Sequence, residues 1–281
     1  MIPAAFDYEV AESVDHALEL LRTREDAKLL AGGHSLLPLM KLRLARPGTL
    51  VDIGRLQALS GVRDAGDHLA VGALTRHHEL NTDPLAREHC PVIAYAAGLV
   101  GDPQVRHRGT IGGSLAHGDP ASDLPTICRM LDATIVARGP GGERQIAAAD
   151  FFRGFFETAL GEDEIVTEVR VPKLGGAGWS YLKFRQRALD WATVGVAAVV
   201  EAQNGSIGGA RVALTNMAAT PVRAEGVEAA LRGAPRDAVA QAAERADEGT
   251  DPPDDTWASA DFRRHLARVL TARALGEALS R

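Results

Sequence analysis

Behind Ser13, apolar side chains at Val14, Ala17, Leu18 and Leu21 recur at the spacing of one helical face, so the pattern predicts a helix over 14–22 with Ser13 as its N-cap. A short apolar run over 28–31 enters Gly32-Gly33. A second, over 50–53, ends at Gly54, and a third, over 69–71, follows the turn-forming Asp64-Ala-Gly-Asp67; each reads as a strand. The first 55 residues therefore make a small α/β unit by themselves. A helix is expected over 84–98, whereas 101–118 carries too many glycines for one and is expected to be structured loop. The runs 133–137 and 145–147 flank Gly139-Pro-Gly-Gly142 and predict a hairpin, and a strand over 165–171 is stopped by Pro172.

Lys173-Leu-Gly-Gly-Ala-Gly178 reads as a boundary. Beyond it, apolar runs at 179–184, 194–202 and 210–214 are separated by turn signals, among them Asn204-Gly205, and predict an antiparallel meander. Residues 222–232, 235–247 and 258–279 have helical periodicity, so the C-terminal region is expected to be a small sheet backed by helices.

Composition narrows the function classes. With 281 residues, 46% hydrophobic and 24% charged, the chain suits two compact domains. A formal net charge of −6 without any basic run argues against nucleic acid or a membrane surface as partner, because both are polyanionic. The two cysteines, Cys90 and Cys128, form no Cys-x-x-Cys and are expected to be buried, reduced thiols, which leaves no iron–sulfur cluster on this chain. There is no apolar run of membrane-spanning length, and MIPAAFDYEV has neither a basic start nor an apolar stretch, so a cytoplasmic protein is expected.

Two segments carry candidate chemistry. In Leu29-Leu-Ala-Gly-Gly-His-Ser-Leu-Leu-Pro38, a strand delivers two glycines and a hydroxyl into a tight turn, where positive φ and the lack of Cβ let successive N–H groups converge on a phosphate. Gly109-Thr-Ile-Gly-Gly-Ser-Leu-Ala-His-Gly-Asp-Pro-Ala-Ser-Asp123 repeats that chemistry and ends on carboxylates, which suit vicinal hydroxyls. Two such nests fit a diphosphate, and neither Gly-x-Gly-x-x-Gly after a strand nor a P-loop is present. Other features have plainer readings. His34 is either a phosphate donor or an exposed spacer. His77 and His78 are adjacent helix positions that point apart and make no metal site, and Asp119 can cap the turn before Pro120. Phe151, Phe152, Phe155 and Phe156 at helical spacing are expected to pack in the core or at a subunit interface.

Ala31-Gly-Gly-His-Ser-Leu36, Thr110-Ile-Gly-Gly-Ser114 and Asp119-Pro-Ala-Ser-Asp-Leu-Pro125, in that order and at that interval, resemble the FAD signatures of the molybdenum hydroxylase flavoprotein (medium) subunits of the xanthine dehydrogenase and carbon monoxide dehydrogenase type. The likeness extends to Gly101-Asp-Pro-Gln-Val-Arg106, to 165–169, to Lys183-Phe-Arg-Gln-Arg-Ala-Leu-Asp-Trp191 and to Phe262-Arg-Arg-His-Leu266, and so covers nearly the whole chain. It implies an α+β fold: a two-lobed FAD-binding domain of the vanillyl-alcohol-oxidase (PCMH) type over 1–174, with lobes of about 1–55 and 56–174, and then a C-terminal antiparallel sheet with helices over 179–281.

It also implies a cofactor-binding set. Ala31, Gly32, Gly33, His34, Ser35 and Leu36 with Thr110, Ile111, Gly112, Gly113 and Ser114 would hold the pyrophosphate, next to Leu30, Ala116, His117 and Ser122. Asp123 would take a ribityl or ribose hydroxyl, Ile165 and Val166 would lie on the adenine side, and Lys183 would reach the flavin ring, with Arg185 and Arg187 on the same strand face. Ser114 stands where some relatives have Asn, and Leu99 or Val100 where some have an aromatic residue. The function implied is electron transfer without a catalytic residue or metal ligand on this chain. A molybdenum-binding large subunit would oxidise the substrate, a [2Fe–2S] small subunit would relay electrons, and FAD here would pass them to NAD, quinone or oxygen. A stand-alone NAD(P)H-dependent flavin reductase, or a flavin-binding assembly or sensor module, is the alternative.

Overall fold

The computed structural model describes residues 2–203 and 205–281. The first lobe is β1 (Asp7–Val10), α1 (Val14–Thr23), β2 (Ala27–Leu30), α2 (Leu36–Lys41) and β3 (Thr49–Asp52), with β3 between β1 and β2 and parallel to both. Ser13 caps α1 by accepting from the His16 N–H at 3.0 Å, and Ala17, Leu18 and Leu20 bury its inner face against the sheet.

The second lobe holds a five-stranded antiparallel sheet and most of the helices. Strands β4 (Val62–Asp64) and β5 (His68–Gly72) come first, followed by α3 (His77–Thr82), α4 (Pro84–His89), α5 (Pro91–Gly98), α6 (Pro103–Arg106), α7 (Ile111–His117) and α8 (Asp123–Met130). Then come β6 (Thr134–Gly139) and β7 (Gly142–Ala147), the one-turn α9 (Ala148–Phe151), the ribbon β8 (Phe152–Gly154) and β9 (Glu157–Thr158), and β10 (Ile165–Pro172) at the centre of the order β4-β5-β10-β6-β7.

Several expectations change here. The helix foreseen over 84–98 is two helices, because Pro91 has no N–H to continue the first and instead starts the second. The glycine-rich 101–118 is largely helical, as α6 and α7. Thr110 caps α7 by accepting from the Gly113 N–H at 3.2 Å, and a Cβ on Gly112 would lie 2.7 Å from the Ala73 carbonyl oxygen. Close packing on β5's exit therefore overrides a propensity penalty of about 1 kcal/mol per glycine. The four phenylalanines do not share a helix. Phe151 and Phe152 are buried, but Phe155 and Phe156 sit exposed in the β8–β9 turn, with Phe156 at φ +56°.

The C-terminal region is the meander β11 (Gly178–Phe184), β12 (Val194–Gln203), β13 (Ser206–Thr215) and β14 (Val222–Arg223), with α10 (Glu225–Leu231), α11 (Val239–Ala243) and α12 (Ala260–Ser280). The helix expected from 222 starts later because Val222 and Arg223 pair with β13, and the one expected over 235–247 shrinks to α11. Asn204 of the expected turn lies outside the described residues. β12 is buried on both faces. Val194, Val196, Ala198 and Val200 pack with α12, while Ala197 and Val199 join Tyr181 and Ala213 in the core of the second lobe. The unbroken apolar run of β12 follows from that double burial, and it joins the C-terminal sheet to the lobe by shared core.

Cys90 and Cys128 are free thiols inside this core, pushed up to about 12 by burial. No helix among the described residues is long and apolar enough to cross a membrane.

Candidate functional site

The two glycine segments meet. A Cβ on Gly32 would lie 2.3 Å from the Arg108 carbonyl oxygen and 2.7 Å from the Gly109 Cα, so the turn between β2 and α2 is pressed backbone to backbone onto the approach to α7. Gly33 holds φ +75°, a conformation that a side chain resists. Among the described residues, no backbone or side-chain acceptor is met by the N–H groups of residues 32–36. Five successive donors are thus left for a ligand.

The second segment differs from the expectation that it repeats this nest. The N–H groups of Ile111 and Gly112 donate to the Thr75 and Ala73 carbonyls at 3.0 and 2.8 Å, and that of Ser114 to the Thr110 carbonyl at 3.0 Å. Its offering is therefore the hydroxyls of Thr110 and Ser114 and the open, Cβ-free surface of Gly113.

These segments line a cavity of about 760 Å³, within the size range of small-molecule and cofactor sites. Every residue of the cofactor-binding set borders it except Ile111, whose side chain is buried in the core of the second lobe, while Leu99, Asp119, Arg185 and Arg187 lie outside the lining. The walls come from all three regions: Leu29 and Ile53 of the first lobe, Val100 and Val105 of the second, and Lys183, Leu189 and Trp191 beyond the boundary. His34 is exposed on the rim, its Nδ1 held 3.0 Å from the Gly32 carbonyl. The His117 ring lies tilted against that of Phe156 with centroids 4.8 Å apart, and burial lowers its pKa. Asp119 accepts from the Ala121 N–H at 2.9 Å and caps its turn.

Asp123 and Lys183 form a buried pair, with Nζ 2.8 Å from Oδ2 and side chains 2% and 3% exposed. Lys183 also donates to the Leu99 carbonyl at 3.2 Å, and Tyr181 donates to Asp123 Oδ1 at 2.6 Å. Burial pushes the Asp123 carboxyl up, against the pull of Lys183 and Tyr181, and burial beside that carboxylate raises Tyr181 well above its ordinary value. Each Asp123 oxygen keeps a lone pair for a cofactor hydroxyl. Arg185 and Arg187 do not extend the row, because β11 ends at Phe184 and the strand alternation ends with it.

His77 escaped the sequence reading as a site residue: it borders the cavity, is 4% exposed, and its Nδ1 meets no partner among the described residues. Its signal was only a histidine beside an apolar run. Burial drives its pKa down to about 4, so it folds neutral. Because the unfolded side chain takes up its proton near pH 6.5, its burial stays favourable above that pH and weakens as pH falls from 6.5 towards 4, by about 3 kcal/mol in all. His77→Leu is expected to flatten that part of the stability–pH curve, measured as urea midpoints at pH 7 and pH 4.5. A curve of unchanged slope would refute the assignment. Leu189, Asp190 and Trp191 also escaped, since a loop that folds back over a cavity leaves no periodic mark.

What the site can hold follows from this inventory. A row of free N–H donors suits a diphosphate, a half-satisfied buried carboxylate suits a diol, and an apolar trough suits ring systems, which together match FAD. Among the described residues, no group of three or more His, Cys, Asp or Glu is placed to hold a metal ion.

Comparisons with known proteins agree. Residues 4–174 match the family "FAD binding domain in molybdopterin dehydrogenase", and residues 179–278 match "CO dehydrogenase flavoprotein C-terminal domain". The chain is 42% identical to the carbon monoxide dehydrogenase medium chain of Hydrogenophaga pseudoflava, covering 100% of this chain and 99% of that one. It is 36% identical to the glyceraldehyde dehydrogenase medium chain of Sulfolobus acidocaldarius, covering 99% of each. The structure of quinoline 2-oxidoreductase from Pseudomonas putida 86 superposes with a TM-score of 0.96 at 33% identity, over 100% of this chain and 99% of that one. The free N–H row, the buried Asp123–Lys183 pair and full-length relatedness thus converge: this chain belongs to the FAD-binding medium subunits of the molybdenum hydroxylases.

Proposed function

We propose that this chain is the electron-exit subunit of a three-part complex, loaded by a [2Fe–2S] chain that is itself reduced by a molybdenum-binding large chain, and emptied by NAD, quinone or oxygen in the cytoplasm. Bound FAD supplies two-electron storage with release in one- or two-electron steps. The observation that carries the reading is the state of the ionisable groups along the cavity. Asp123 and Lys183 pair with each other, Tyr181 donates to that carboxylate and buried His77 is neutral, so the buried wall of the cradle offers no free acid or base to an organic substrate, while ionisable groups such as Lys28, His34 and Glu162 border the cavity only from exposed positions. Relatives named for carbon monoxide, glyceraldehyde and quinoline share this architecture, so the substrate is chosen on another chain.

In this reading the donors of residues 32–36, with Thr110 and Ser114, hold the pyrophosphate. Ser122 and Asp123 take hydroxyls, Ile165 and Val166 cover the adenine side, and Lys183 lies by the flavin ring. The domain division falls between residues 174 and 179. Co-expression with its two genomic partner chains is expected to yield a complex holding FAD, molybdenum and [2Fe–2S] clusters, in which substrate added without oxygen bleaches the flavin. The purified chain alone is expected to be yellow, to release FAD rather than FMN on denaturation, and to keep its flavin oxidised with the same substrate. Rapid bleaching of the isolated chain by NADH would instead identify a stand-alone flavin reductase.

A further inference from the structure

Residues 185–192 form the loop that carries Leu189, Asp190 and Trp191 to the cavity, and both side chains of its apolar tip, Leu189 and Trp191, are more than half exposed. The loop has a turn of its own, in which the Arg187 N–H donates to Asp190 and the Asp190 N–H to the Arg187 carbonyl, and the Gln186 amide donates to the Trp257 carbonyl, but no hydrogen bond among the described residues ties its apolar tip to the cavity wall; that tie lies at its base. The base is closed by the Thr193 N–H donating to the Phe184 carbonyl at 2.8 Å. The outgoing strand is gripped a second time. The side-chain amide of Asn216 donates to the Ala192 carbonyl at 2.8 Å and lies 3.4 Å from that of Thr193, which Arg263 also engages. Asn216 is itself anchored to the opposite wall, because its own N–H donates to the Pro120 carbonyl at 2.9 Å, two residues before Ser122 in the segment that lines the cavity. It does so at φ +61°, a left-handed conformation that asparagine tolerates better than most residues. Its neighbour Thr215 donates to Thr126 at 2.8 Å and so pins the same strand end to α8.

We infer that Asn216 is a positioning residue: it ties the loop 185–192 to the Pro120 segment and thereby sets how closely Leu189 and Trp191 cover the cofactor. Backbone and side chain have separate tasks. The N–H with its left-handed φ fixes Asn216 on the Pro120 wall, and the amide reaches across to the loop. The consequence is control of access, in which small molecules reach the cofactor only as far as the tied loop permits. This inference rests on the FAD reading of the cavity.

The test uses the full chain loaded with FAD. Asn216→Gly keeps the backbone conformation and the bond to Pro120 but removes the amide. Asn216→Asp keeps size and conformation but turns an acceptor toward two carbonyls. Both are expected to keep wild-type FAD content, while the acrylamide quenching constant of the bound flavin rises about threefold, the shift that follows loss of one ordinary tethering hydrogen bond. Tryptic cleavage after Arg185 and Arg187, which lie on the loop, should quicken in parallel, with or without FAD. Wild-type quenching and cleavage in either folded variant would overturn the inference, as would faster cleavage with unchanged quenching, which would leave the loop tied but not covering the cofactor. Loss of FAD from folded Asn216→Gly would also overturn it, by making Asn216 a retention residue. A wild-type chain that binds no FAD refutes the cofactor reading instead, and the cleavage rates of the apo chain still decide whether Asn216 holds the loop.

Discussion

Gly33→Val is expected to strip FAD from a chain that still folds. Position 33 sits at φ +75°, and an added Cβ would lie 2.9 Å from the Leu37 side chain. Keeping a β-branched residue in that conformation costs about 1–3 kcal/mol. Relief by turning φ negative would swing the N–H groups of residues 33 and 34 out of the row that faces the cavity. Either route weakens FAD binding by about 10- to 100-fold, at roughly 1.4 kcal/mol per tenfold. Gly66→Val separates strain from site, because Gly66 has φ +97° with open space around it and stands in the β4–β5 turn, away from the cavity lining. It should lower the melting temperature comparably and keep its flavin. Gly113→Val should weaken FAD less than Gly33→Val, since its backbone is helical and its Cβ would meet only Thr110 Oγ1, at 2.9 Å. FAD titration of the three apo variants decides the matter, and wild-type affinity in Gly33→Val would remove the first segment from the site.

Lys183→Met is expected to cost stability before it alters anything else. The Lys183 and Asp123 side chains are 3% and 2% exposed, and deleting one partner of a buried pair leaves the other charge uncompensated, a loss of about 3–5 kcal/mol. Asp123 escapes part of that cost by holding its proton more tightly, since burial already raises its pKa. The double change Lys183→Met with Asp123→Asn should recover most of the loss, because the amide keeps an acceptor for Tyr181 and buries no charge. The flavin potential reports on the same pair. On the proposed placement of Lys183 by the flavin ring, removing it alone should lower the potential by some tens of millivolts, about 30 mV corresponding to 1.4 kcal/mol for two electrons. The double variant should return it towards the wild-type value. Urea midpoints and redox titration of the two variants beside wild type are the measurements, and a single variant as stable as wild type would show that the pair does not carry the junction.

Much of the architecture was legible in the chain because it rests on local rules. The helix behind Ser13, the hairpin around Gly139-Pro-Gly-Gly142 and the meander after residue 178 each follow from a periodicity bounded by turn residues, and α1, β6 with β7, and β11 to β13 occupy those places. The glycine segments could be picked out for a similar reason. A turn that must expose N–H groups or admit another backbone has no substitute for glycine at Gly32 and Gly33. Family resemblance supplied the cofactor, since two Gly-Gly turns alone do not distinguish FAD from another diphosphate.

What the tertiary structure alone decided lies wherever packing outweighs propensity. The helix α7 forms through glycines because Gly112 must fit against Ala73, a contact between residues far apart in sequence. Lys183, which the family resemblance placed by the flavin ring, turns out to be half of a buried pair, because β11 brings it onto Asp123 at the start of α8, 60 residues away. His77 becomes a neutral ring with an unpartnered Nδ1 only when Gly109 packs against it inside the second lobe, and Asn216 becomes a bridge between two walls only when the C-terminal sheet docks on that lobe. Sequence by itself determined which local conformations were available and which segments could meet a phosphate. Docking through the two buried faces of β12 decided which side chains lose their water, and with it which charges pair, which groups stay neutral and which loop covers the cavity.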